Sequence, residues 1–175
     1  MKIKLSASLM TILALLLLLG ASGAYAATYT ICDNDPLATN CNMYFNVSPH
    51  HYTYKSGSGY NNDHRHIQNS SYPDEYAVLE FSRPSGNFSG GTSYLYVHVV
   101  NSFTSRSTTY SSYVNGSVIG NVVGTIDQYN SPNGWNYVGA FTISSSGAQY
   151  VEIELSPGGT GTQKDGLDAM EIITQ

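Results

Sequence analysis

The chain has 175 residues, with seven Lys and Arg against twelve Asp and Glu, for a net charge of −5 with histidines neutral. Charged residues make up only 11% of it, while fifteen tyrosines and seventeen glycines stand out. Phosphate backbones and anionic membrane surfaces are bound by clustered positive charge. This composition therefore excludes nucleic acid and membrane surfaces as expected partners.

At the N-terminus, Lys2 and Lys4 precede an apolar run from Leu9 to Leu19, and Ala24-Tyr25-Ala26 fits the small-x-small cleavage rule. The run is shorter than the roughly 20 residues that a membrane span needs. Residues 1–26 are read as a cleaved export signal, with an uncleaved anchor as the alternative. Residues 27–175 are then one domain of ordinary size, with a net charge near −7 once both lysines are gone. No later segment resembles a transmembrane span. The expected location is extracellular or at the cell surface.

Cys32 and Cys41 bracket CDNDPLATNC. In an exported chain such a pair is read first as a disulfide. Here it is expected to pin a local turn, at a little under the roughly 3 kcal/mol estimated for a loop of about 15 residues. Metal ligation is the poorer alternative, because structural zinc takes four ligands. Next comes HHYTYKSGSGYNNDHRH, in which His64 and His66 would share a strand face. Imidazoles at that spacing can chelate a transition metal, although histidines in polar segments are commonly just solvated.

Strand signals follow in series, with no sustained helical periodicity. They are Tyr76 to Phe81, Tyr94 to Val100, Thr108 to Asn115, Val118 to Gln128, Trp135 to Ile143, Tyr150 to Leu155 and Ala169 to Ile173. Asn115-Gly116 is a tight-turn signal between two of them. Turn clusters recur every 8–12 residues or so, which is the signature of a sandwich or barrel. In PNGWNYVGAFTIS, continuous alternation puts Trp135, Tyr137, Gly139 and Phe141 on one face. That face is apolar enough for the core, so alternation reads Trp135 as mainly structural, with an exposed platform for a ligand as the alternative.

Together these segments carry a pattern. TTYSSYVNGSVIGNVVGTIDQ, GWNYVGAFTI, GAQYVEIELS and DGLDAMEI, preceded by TICDNDP, SGYNNDHRHI and YAVLEFSRPSGNFSGGTSYLYVHVV, resemble the golvesin C-terminal-like, or xanthan-lyase-type carbohydrate-binding, domain family. The order covers nearly the whole mature chain. Val138 departs from the family's leucine, Leu79 from a common aromatic, and His64 and His66 from Tyr-like positions. The resemblance implies an all-β fold: a single antiparallel β-sandwich of jelly-roll, galactose-binding-like type with about eight or nine strands.

Sugar recognition uses flat rings stacked on the C–H faces of pyranoses, with amides and carboxylates on the hydroxyls. The candidate ligand residues are Tyr60, Asn62, Asp63, His64, Arg65, His66, Gln128, Tyr129 and Tyr137. The alternative for Arg65 and Gln128 is a fold-making role. Jelly-roll modules often hold a structural calcium where the first and last strands meet. Asp33, Asp35, Asp165 and Asp168 are the candidate ligands, since calcium takes six to eight oxygens. Asp33-Asn34-Asp35-Pro36 reads equally as a turn. Glu152 and Glu154 share one strand face about 7 Å apart. They are read as solvated charges rather than a glycosidase pair.

The function expected is non-catalytic binding of polysaccharide or cell-surface glycan. The alternative is a structural or adhesive matrix protein that self-associates.

Overall fold

Alternation decides the architecture. In Tyr150–Ser156, Val151, Ile153 and Leu155 are buried while Glu152 and Glu154 lie on the opposite face, as a pleated strand with one solvated side requires. The structure is a computed structural model that describes residues 28–34, 41–46, 52–68, 75–82, 88, 90–117, 120–143, 148–158 and 161–175. The expected export signal and Asp35 lie outside the described residues.

Among the described residues there are twelve strands: β1 (Thr28–Cys32), β2 (Cys41–Phe45), β3 (Thr53–Ser56), β4 (Asp63–Gln68), β5 (Ala77–Ser82), β6 (Gly91–Val99), β7 (Thr108–Val114), β8 (Asn121–Ile126), β9 (Gly134–Ile143), β10 (Tyr150–Ser156), β11 (Lys164–Leu167) and β12 (Met170–Thr174). This exceeds the eight or nine expected, because β3, β4 and β11 are short polar strands with little apolar alternation and β2 is only five residues long. A four-stranded sheet runs β1-β12-β6-β9 and a five-stranded one β2-β5-β10-β7-β8. Every pairing is antiparallel. A small sheet, β11-β4-β3, stands apart from these two. The protein is an all-β jelly-roll sandwich.

The core lies between the two larger sheets. Leu79, Phe81, Ile153 and Leu155 come from one inner face, and Leu95, Val97, Phe141 and Ile172 from the other. Each fully buried side chain of this size contributes roughly 1.5–3 kcal/mol. The Cys32–Cys41 disulfide forms with its Cα atoms 5.2 Å apart. It links β1 of one sheet to β2 of the other, so it staples the sandwich rather than only a local turn. Asn115 and Gly116 take φ of 52° and 66°, the left-handed pair expected of the tight turn.

Two glycines close one side of the sandwich. A Cβ on Gly139 of β9 would lie 2.1 Å from the Val123 carbonyl oxygen, and one on Gly124 of β8 would lie 2.4 Å from the Val138 carbonyl oxygen. The backbones of β8 and β9 can touch only because neither position has a side chain. Beside this contact β9 carries a bulge. Leu95 pairs with Gly139, but Tyr96 pairs with Tyr137, leaving Val138 as the extra residue.

Candidate functional site

The bulge decides which side chains reach solvent. C-terminal to it, Gly139, Phe141 and Ile143 point into the core; N-terminal to it, Trp135 and Tyr137 point outward, 37% and 52% exposed. The expected single face of Trp135, Tyr137, Gly139 and Phe141 is thus broken at Val138. Trp135 is a surface residue.

On the neighbouring strand, Leu95, Val97 and Val99 are buried, so Tyr94, Tyr96 and His98 face out. Register then sets Tyr96 opposite Tyr137 and His98 opposite Trp135. The ring centroids are 5.5 Å and 5.3 Å apart. Tyr60 caps the ladder in edge contact with both Trp135 (5.5 Å) and His98 (5.9 Å). Successive rings on each strand are about 7 Å apart. One row crosses all four strands as Ile31, Glu171, Tyr96 and Tyr137. It brings a carboxyl, raised in pKa by burial, alongside the rings.

Tyr60 is fixed from below. The turn Tyr60–Asn62 holds Asn61 and Asn62 at φ of 51° and 73°, which asparagine tolerates better than most residues. The Tyr60 N–H donates to both oxygens of Asp168 (3.1 and 3.0 Å), and Asn61 Nδ2 donates to Asp33 Oδ2 at 2.6 Å. Asp168 Oδ2 lies 2.7 Å from His98 Nδ1. Burial, and then the nearby carboxylates of Asp33 and Asp63, push Asp168 up to about 8 against the opposing Tyr60 N–H bond. Burial lowers His98. Both shifts favour the uncharged form of the pair, a carboxylic acid beside a neutral imidazole, as a strut behind the rings.

The nine candidate ligand residues divide. Tyr60 and Tyr137 belong to the ladder, and Asn62 and Asp63 sit in or beside the turn that carries Tyr60. Gln128 is 2% exposed and fully engaged: its Nε2 donates to Tyr110 Oη and Gly166 O, and its Oε1 accepts from Gly166 N–H, all at 2.9 Å. It clamps β11 and cannot reach a ligand. His64 and His66 are buried with ring centroids 6.2 Å apart. His64 Nε2 is bonded to Ser102 Oγ and Nδ1 to Ser58 O. Burial chiefly, then Lys164 and His64, lowers His66 to about 4. Neither ring is presented to a ligand or open to chelation from outside. Arg65 lies over the Tyr54 ring at 5.3 Å. Tyr129 is away from the ladder residues, under Arg106 at 4.8 Å, beside a cavity of about 430 Å³ that Lys164 also lines.

Asp35 of the calcium quartet lies outside the described residues, and Asp33, Asp165 and Asp168 do not group as a metal site. Asp165 is fully buried and accepts from Thr108 Oγ1 in a different part of the fold. Asp33 and Asp168 do approach one another, but both are already held by N–H donors. Two buried oxygens nearby, Asn34 Oδ1 and Asp63 Oδ1, have no protein partner. Among the described residues, no three His, Cys, Asp or Glu side chains group as a metal site. Asp33, Asp165 and Asp168 alone do not supply the six to eight oxygens that calcium takes.

Tyr94, Tyr96, His98 and Trp135 were not among the expected ligand residues. The first three were legible from the inward alternation of Leu95, Val97 and Val99; Trp135 needed the bulge.

With this geometry in view, the chain superposes on a region of a Paenibacillus xanthan lyase with a TM-score of 0.59 at 16% identity. The fold is shared with that region. The match covers 85% of this chain and 13% of the lyase, so the chain spans about an eighth of the enzyme's length. Weaker likenesses include a family 35 carbohydrate-binding module from Clostridium thermocellum (TM-score 0.49, 11% identity, 85% and 99% covered). Another is the C-terminal family 6 module of a Zobellia galactanivorans laminarinase (TM-score 0.43, 14% identity, 86% and 100% covered). No family model matches the sequence, and no curated protein matches it. Among the described residues, no helix is long and apolar enough to cross a membrane.

Proposed function

We propose that this chain is an exported, non-catalytic module that binds polysaccharide or cell-surface glycan through the ring ladder on the outer face of β6 and β9. The observation that carries this reading is the pairing of Tyr96 with Tyr137 and of His98 with Trp135 on a solvated sheet face, capped by Tyr60. Soluble sheets normally turn polar side chains outward. A contiguous row of rings facing water marks an interaction surface. Rings spaced about 7 Å apart suit the C–H faces of successive sugars. Glu171, Asn61 and Asn62 supply acceptors and donors for hydroxyls at the rim. The cross-sheet disulfide accords with export.

Retention on insoluble polysaccharides and a glycan array tests the reading, with quenching of the single tryptophan as the reporter. Weak affinity, about millimolar to micromolar, with quenching of Trp135, is the expected result. Concentration-dependent assembly without retention on any glycan would instead assign the same rings to self-association.

A further inference from the structure

The sandwich carries a second ringed surface on its opposite face, the outer side of the five-stranded sheet. A cavity of about 210 Å³ opens there, walled by Tyr44, Tyr76 and Tyr113 and floored by Val78, with Glu152 and Glu154 in its lining. Glu80 joins them from β5, directly opposite Glu152. All three carboxylates accept only from neutral donors. Asn42 Nδ2 bonds Glu80 at 2.8 Å, Tyr44 Oη bonds Glu152, Tyr113 Oη bonds Glu154 at 3.1 Å, and Ser156 Oγ bonds Glu154 at 2.7 Å. No described lysine or arginine pairs with them. Facing like charges on adjacent strands are unfavourable, and the carboxylates raise both the Tyr44 and the Tyr113 hydroxyls, after burial.

We infer that this groove binds a protonated amine carried on an amino-sugar chain. Three tyrosine rings line the cavity beside Glu152 and Glu154, and rings next to carboxylates hold ammonium groups by cation–π attraction and charge-assisted hydrogen bonds. A hard divalent ion is a poor fit, because it wants six or more oxygens and gains little from ring faces. The amino-sugar assignment rests on the polysaccharide-binding role proposed above; the preference for positive charge rests on the groove alone.

Titration calorimetry of the purified protein separates these points. The probes are a fully deacetylated glucosamine hexamer, its fully N-acetylated counterpart and hexalysine. The glucosamine hexamer is expected to bind roughly tenfold tighter than either of the others. The variant E152Q/E154Q is expected to erase that advantage and leave binding of the N-acetylated hexamer unchanged. Glutamine still accepts from Tyr44 and Tyr113, so the variant should fold, which its melting curve verifies. Equal binding of the two hexamers, no binding of the glucosamine hexamer, or an unchanged advantage in E152Q/E154Q overturns the inference. Equally tight hexalysine binding overturns the sugar assignment. W135A/Y137A keeps the two surfaces distinct: it should abolish retention on neutral polysaccharide while preserving the amine preference. Neutral retention with no amine preference sinks the groove alone. In the native protein, an amine preference without neutral retention sinks the ladder alone.

Discussion

Substituting Gly139 by alanine probes how β9 is held against β8. The new Cβ would sit 2.1 Å from Val123 O, 3.0 Å from Val123 C and 3.3 Å from Val123 Cγ1. Two of these atoms are backbone, so no side-chain rotation relieves the clash. Strand β8 is bonded in its sheet only to β7, and relief requires that whole edge strand to shift. Overpacking of this kind costs about 1–3 kcal/mol. For a chain of this size that is a fall of roughly 3–10 °C in Tm. Gly124→Ala presses the same interface from the other side, against Val138 O at 2.4 Å. One outward shift of β8 relieves both clashes, so the double variant should lose less than the sum of the singles by at least about 0.5 kcal/mol. Thermal melts and urea titrations of the three variants measure this. Gly134→Ala is the control: φ is +101° but nothing lies within 4 Å, so any loss there is backbone strain. Wild-type stability in Gly139→Ala, or strict additivity in the double variant, would refute the close backbone contact.

Gln128→Leu should destabilise by about 2–4 kcal/mol in urea unfolding, since it strands the Gly166 amide and carbonyl, while leaving glycan retention intact. Asp168 has a folded pKa raised to about 8, above its unfolded value, so it favours the fold below pH 4 and that contribution is lost as pH rises toward 8. Asp168→Asn should remove this decline between pH 4 and 8 from the Tm profile. The decline of His66 runs the other way: its folded pKa of about 4 lies below the unfolded value, so its contribution is lost as pH falls from about 6.5 to 4. That acid limb should persist in Asp168→Asn. Because Asp33 and Asp168 are held by protein donors, a chelator should leave Tm unchanged; a drop of several degrees would show that the aspartates hold an ion.

The sandwich was readable because its long strands alternate cleanly. Val151, Ile153 and Leu155 announce an inner face that no tertiary detail overrides. The short strands were less visible: DHRHIQ and KDGL lack an apolar period and fold through partners distant in sequence, as Asp165 pairs with Ile67. The site was half legible. Tyr60 and Tyr137 were expected on chemistry alone, since exposed tyrosines near amides suit sugars. Trp135 was assigned inward because alternation was carried through Val138, and a bulge inverts parity without any residue that announces it. Gln128 and His64 were mistaken for ligand contacts for another reason. Polar residue types look alike in sequence whether they bind a ligand or a buried backbone. Only the partner distinguishes them, here Gly166 for Gln128 and Ser102 for His64.

Sugar binding rests on the ring ladder facing outward, and W135A/Y137A tests this most directly. Both side chains are substantially exposed, so the variant should fold and keep a near-wild-type melt. Its retention on whichever polysaccharide binds the native protein should fall at least about 30-fold. Undiminished retention by a folded W135A/Y137A variant would contradict the assignment of the site to this face.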